Sequence, residues 1–158
     1  MIPLLLVFAA ACAATDLRSR RIPNWLTVSG ALTGFGFHAW RAGLDGLAFA
    51  AAGFGAAFGL YALLFLLRGM GAGDLKMMAA MGALIGWSNW LLLFVLSAVL
   101  GGLVALIVVI ARGRLRQTWR NLLHLPQQKL GQPHSLALPH APVVAVAALF
   151  TAIAMRGQ

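Results

Sequence analysis

Residues Leu47–Leu67 read LAFAAAGFGAAFGLYALLFLL, 21 positions without a charge. As a helix this stretch extends about 32 Å, enough to cross the roughly 30 Å hydrocarbon layer of a bilayer. Working outward, similar runs recur. Ile2–Thr15 and Trp25–Trp40 precede it, and Leu75–Trp87, Trp90–Ala111 and Ala141–Met155 follow. Of the 158 residues 61% are hydrophobic and only 9% charged, against roughly 25% charged in soluble domains. The mean hydropathy is +0.89. A chain of this size cannot hide so much apolar surface in water. The expected fold is therefore all-α: a polytopic transmembrane helix bundle of six spans, forming one domain over residues 1–158.

The net charge of +9 reads as a set of topology anchors, with no nucleic-acid partner expected. The polar breaks after runs one, three and five hold Arg18, Arg20, Arg21, Arg68, Lys76, Arg112, Arg114, Arg116, Arg120 and Lys129. The other side holds only Arg41 and Arg156. Lys and Arg accumulate in cytoplasmic loops, so both termini are expected outside and a basic cytoplasmic loop over residues 112–139. The first apolar run lacks the positive segment that opens a secretory signal and has its Arg residues after it. It is expected to stay as the first span.

Only three carboxylates exist: Asp16, Asp45 and Asp74. An acid at membrane depth is costly and marks a functional site by default. The topology puts Asp45 in the loop between runs two and three, on the outer face, as a solvated acid. Asp16 and Asp74 share the cytoplasmic side. Counted from Met1 and from Trp87 at the outer interface, they lie about 22 Å and 20 Å in. Both stop short of the cytoplasmic surface, at similar depth, and a shared water-filled pocket is expected.

Two carboxylates about 4 Å apart repel by roughly 4 kcal/mol at an effective dielectric near 20, or about 3 pKa units. One then ionises while the other keeps its proton. Such a pair can activate water against a peptide carbonyl without metal or cofactor. On physics alone, Asp74 as catalyst and Asp74 as N-cap of the fourth span stand level. Gly71 and Gly73 are expected to supply dihedrals closed to other residues and to let a substrate backbone approach. Lys76 is either an interface anchor or a cation favouring ionisation of a nearby carboxylate.

Other chemistries lack their residues. Cys12, the single cysteine, reads as a small core residue with no base nearby for nucleophilic work. His124, His134 and His140 have no compact ligand spacing, and His38 is expected at an interface. Pro23 suits the first turn of the second helix. Trp87 and Trp90 are expected as interface anchors around a tight turn. The pairs Gly30/Gly34, Gly55/Gly59 and Gly82/Gly86 offer small-residue faces for close helix approach.

The stretch Thr15-Asp16-Leu17-Arg18-Ser19-Arg20-Arg21-Ile22-Pro23-Asn24-Trp25-Leu26-Thr27 resembles the first-aspartate motif of type IV prepilin peptidases. Gly71-Ala72-Gly73-Asp74-Leu75-Lys76 resembles their GxGD motif, a signature shared with presenilin-type intramembrane aspartic proteases. Leu138-Pro139-His140-Ala141-Pro142 resembles the start of their last helix. The resemblance implies Asp16 and Asp74 as the catalytic pair, with Gly71, Gly73, Lys76, Pro23 and Asn24 as supporting motif residues. It implies cleavage of a short basic leader from prepilins or pseudopilins at the cytoplasmic face of a bacterial inner membrane, with no cofactor. Larger members add a cysteine-paired zinc domain and N-methylate the product. This chain looks like the short form associated with Flp-type (Tad) pili, which implies peptidase activity without methylation. Partners implied are the prepilin and the lipid bilayer, with other pilus-assembly proteins in reach. Two further readings stay open. One is a non-enzymatic pilus-assembly subunit binding through residues 112–130. The other is a small transporter coupling protons through Asp16 and Asp74.

Overall fold

The computed structural model describes residues 1–67, 70–111 and 140–156. Arg68 and the basic stretch expected over 112–139, with His124, His134, Leu138 and Pro139, lie outside the described residues. The described chain is all-helical: α1 is Ile2–Ser19, α2 Asn24–Leu66, α3 Ala72–Ala111 and α4 His140–Arg156. Three stretches, α1, α2 and Ala72–Val108, are long and apolar enough to cross a membrane, and Ala141–Met155 is a shorter apolar helix.

Six apolar runs thus become four helices, because the expected breaks are very short. The loop expected over 41–46 shrinks to two non-helical residues, Ala42 and Gly43. The turn expected at 87–90 shrinks to one, Gly86. Both helices nevertheless double back at these points. Phe35 and Phe54 have ring centroids 5.8 Å apart, although a straight helix would hold them about 28 Å apart. Gly82 lies against Gly53 and Ala57, yet Tyr61, one turn beyond Ala57, meets Phe94 at 5.8 Å. Only a reversal at Gly86 brings position 94 back to that level.

The first half of α3 is the centre of the molecule. Leu75, Met77 to Met81 and Ala83 to Ile85 are all buried. Both halves of α2 pack on this segment, with Gly34 against the Ala83 backbone and Gly53 against Gly82. In lipid, where apolar burial alone gives helices little reason to associate, such close backbone approach carries the packing. Gly55 and Gly59 have nothing within 4 Å of where a Cβ would sit, which corrects their expected role. Helical phase explains it: the buried stripe is Ala50, Gly53, Ala57 and Tyr61, at i, i+3, i+7 and i+11, and positions 55 and 59 lie on the far side. On the other flank α1 and α4 pack together and α4 packs on α3, with Cys12 fully buried in the core between them.

Gly86 adopts φ 75, ψ 172, a region essentially reserved for glycine. The helix around it has carbonyls to satisfy. His38 Nε2–H donates to Leu84 O at 3.0 Å, and Asn89 Nδ2 donates to Ile85 O at 3.0 Å. His38 therefore staples this joint. Trp90 departs from expectation. It is 1% exposed and packs with Tyr61 and Phe94, whereas Trp87 stays exposed. Elsewhere the outer surface is apolar: Val99, Leu103, Leu106, Ile107 and Ile110 of α3 are each about half exposed or more, as suits a face turned to lipid.

Candidate active site

The site forms where α1 ends, α2 begins, α3 begins and α4 begins. α1 closes on Arg20, whose φ 51, ψ 31 is left-handed, with its N–H donating to Asp16 O at 2.8 Å. Glycine is the usual residue at this closing position, and a side chain there costs about 1–2 kcal/mol. The chain then turns through Pro23, which is extended (φ −64, ψ 140) and caps α2 from just outside it. Its carbonyl accepts the N–H of Leu26 at 3.1 Å and of Thr27 at 3.3 Å. Pro23 thus sits one residue before the first turn expected for it.

α3 starts from Gly71, whose carbonyl accepts the N–H of Leu75 at 3.3 Å. Asp74 is the third residue of α3, in its first turn, so it is not the N-cap. A carboxylate in a first helical turn is favoured by the unpaired N–H groups there. Neither Gly71 nor Gly73 has a positive φ; among the described glycines only Gly43 and Gly86 do. The expected dihedral role is therefore corrected. A Cβ at Gly71 would make an ordinary contact with Asp74 Oδ2, 3.7 Å away, which places Gly71 beside that carboxylate.

Asp16 and Asp74, both half-buried, line one cavity of about 310 Å³. Gly71, Gly73, Asn24 and Lys76 line it too, with Arg20, Arg21 and Ile22. Pro23 stands next to the lining without joining it. At roughly 30 Å³ per molecule the space holds about ten waters. Asp45 is exposed and lies past the reversal at Ala42, about 27 Å of helix from Asn24, so it does not approach the cavity.

Two contacts tie the elements of the site together. The backbone N–H of Ala141, at the start of α4, donates to Asp16 Oδ2 at 3.2 Å. Lys76 Nζ donates to Asn24 Oδ1 at 3.0 Å, joining the starts of α2 and α3. The Ala141 donor is missed by a reading of side chains alone. The available signal was a helix start, Pro142 in its first turn, which presents free N–H groups to anions. Arg20 and Arg21, counted only as topology anchors, are cavity residues as well. Their adjacency to Asp16 in sequence was the available hint. Among the described residues no three His, Cys, Asp or Glu gather as a metal site requires.

Residues 3–106 match the model of the Type IV leader peptidase family. The chain belongs to that family. The matched stretch contains both cavity aspartates and most of the helical bundle, and α4 lies beyond it. Membership makes the chain a peptidase, and with its apolar helices a membrane protein acting on a protein substrate. No curated protein and no solved structure matched the chain.

Proposed function

We propose that the chain is a membrane-embedded aspartic endopeptidase that removes the leader from prepilins or pseudopilins, of Flp type. The observation that carries this is the meeting of Asp16 and Asp74 on one cavity of about 310 Å³. They come from helices 52 residues apart in sequence, and the two GxGD-family motifs meet there. The six apolar runs act as six crossings with both termini outside, so the cavity opens to the cytoplasm of a bacterial inner membrane. The excess of Lys and Arg at the cavity end supports that orientation.

In the reaction one aspartate is ionised and the other protonated. The ionised one takes a proton from a cavity water as that water's oxygen bonds to the scissile carbonyl carbon. The protonated one gives its proton to the carbonyl oxygen. The tetrahedral diol then collapses: one of its hydroxyls returns a proton to the carboxylate that had given one, the C–N bond breaks, and the departing nitrogen takes up the proton from the carboxyl that first accepted one. The pair returns to one proton shared between two carboxylates, and the roles belong to the pair as a whole. The Ala141 N–H holds Asp16 in place during these steps, and Gly71 lies beside Asp74.

The test is cleavage of a prepilin in proteoliposomes. Asp16→Asn and Asp74→Asn each abolish release of the leader. Cleavage persisting in either variant overturns the pair.

A further inference from the structure

Beside the active-site cavity lies an apolar groove of about 450 Å³. It runs along α2 from Asn24 to Phe35, with Phe54 and Phe58 from the returning half of α2 as its other wall and Ala79 of α3 behind. Asn24 and Lys76 line this groove and the active-site cavity alike. A second groove, about 180 Å³ between α1 and α2, shares no residue with that cavity.

The change of chemistry at the shared pair is abrupt. On the cavity side stand Asp16, Asp74, Arg20 and Arg21. Among the described residues that line the groove Lys76 is the only charged one, and it is turned to Asn24. Thr27, the one hydroxyl on the groove wall, spends it on Asn24 O at 3.0 Å. At the far end the Phe54 and Phe58 rings stack at 6.0 Å, 8° from parallel, and Phe54 meets Phe35. The wall from Asn24 to Phe35 rises about 16 Å, three helical turns.

We infer that this groove seats the apolar helix of the precursor while the adjoining peptide bond lies in the cavity. The inference rests on the peptidase reading above. A bond can reach Asp16 and Asp74 from a membrane-inserted chain only if the residues beside it stay out of water. The groove is an apolar surface that shares Asn24 and Lys76 with the cavity, and three turns supply anchors at i, i+3 or i+4 and i+7 in the way helix-in-groove recognition works. The Asn24–Lys76 bond marks where polar peptide gives way to apolar helix. A lipid chain could fill any apolar groove, but it would have no reason to prefer the one joined to the cavity.

Two measurements on the full-length protein in liposomes test this. A photo-crosslinking residue at Leu32, on the groove wall, is compared with one at Leu103, on the outer face of α3, in an Asp74→Asn background holding uncut prepilin. The Leu32 position gives an adduct mapping to the apolar segment of the prepilin, at least about tenfold above Leu103, the ratio expected for a specific seat worth about 1.4 kcal/mol. Equal yields, or adducts with lipid alone, overturn the seat. In the otherwise intact enzyme, Leu32→Trp fills the groove and raises KM about tenfold with kcat unchanged, the mark of lost uniform binding. A fall in kcat alone, or no change, also overturns it. Failure of the peptidase reading looks different: the Asp74→Asn variant still cleaves, whatever Leu32 captures.

Discussion

At one end of the bundle Asp16 and Asp74 are half-buried on a shared cavity, with Arg20, Arg21 and Lys76 beside them. At the other end Asp45 is exposed, just past a reversal at Ala42 and Gly43. All three are aspartates at the edges of apolar runs. The difference is what converges on them. Four helix ends meet at the cavity, and a backbone N–H, that of Ala141, is aimed at Asp16. Acidity at a membrane edge is cheap. Held geometry is what separates a site from a solvated loop.

The sharpest way to break this comparison is to remove each charge in turn. Positioned acid–base groups contribute about 10²- to 10⁴-fold each, and in the proposed mechanism the two aspartates act as one unit. Asp16→Asn and Asp74→Asn are each expected to lower prepilin cleavage by more than about a thousandfold. Asp45→Asn is expected to stay within about twofold, as for a surface substitution away from special features. Initial rates in proteoliposomes decide it. An Asp45→Asn variant as inactive as the other two would erase the distinction between the ends.

The two reversals offer the next contrast. Gly43 (φ 59) has open space where a Cβ would go. Gly86 (φ 75) has the Phe49 ring there, and its backbone lies in the region reserved for glycine. Gly86→Ala therefore combines backbone strain with overpacking and is expected to destabilise by about 3 kcal/mol. Gly43 (φ 59, ψ −132) is also closed to most side chains, but Gly43→Ala carries that backbone strain alone, about 1–3 kcal/mol, without the overpacking. Thermal unfolding in detergent should rank them in that order, with cleavage per folded molecule preserved for Gly43→Ala. Equal losses would mean that the Gly86 joint is no tighter than the surface turn.

These contrasts also show what could be read ahead of the structure. The apolar runs were legible because lipid demands an unbroken hydrophobic length, and the pairing of Asp16 with Asp74 because charge asymmetry sorts loops by side. The reversal at a single glycine was not, since Gly86 in an apolar run looks like another small packing residue. Gly53 was passed over for Gly55 and Gly59 because a GxxxG spacing does not say which way the helix faces. Trp90 looked like an interface anchor, and only tertiary packing with Tyr61 and Phe94 puts it in the core. Ala141 could not be singled out from its side chain, because its contribution to the site is a backbone N–H.

That N–H can be removed without touching Asp16. Proline is tolerated near a helix start, so Ala141→Pro keeps α4 while deleting the donor to Asp16 Oδ2. A hydrogen bond to a charged group is worth about 1.5–3 kcal/mol, and cleavage per folded molecule is expected to fall about ten- to a hundredfold; Ala141 is buried, so the added ring also costs about 1–3 kcal/mol of stability. Ala141→Gly, which keeps the N–H, serves as the control and should stay near the parent rate. If the proline variant cleaves at the parent rate, Asp16 is held by other means and the α4 end contributes only packing.

The smallest expected effect lies at the Lys76–Asn24 bond. Its partners are near the surface, where solvent screens charge and a pair contributes less than about 1 kcal/mol. Asn24→Ala and Lys76→Met should then each lower cleavage less than about fivefold, and the double variant should be no worse than either single one, because both remove the same contact. Additive losses would show that the two residues act separately, Lys76 on the cavity and Asn24 on the start of α2. A loss beyond about a hundredfold for Lys76→Met alone would move Lys76 into the acid–base chemistry. The cavity end would then work with a cation as well as two carboxylates, and its contrast with the Asp45 end would rest on charge partners as much as on held geometry.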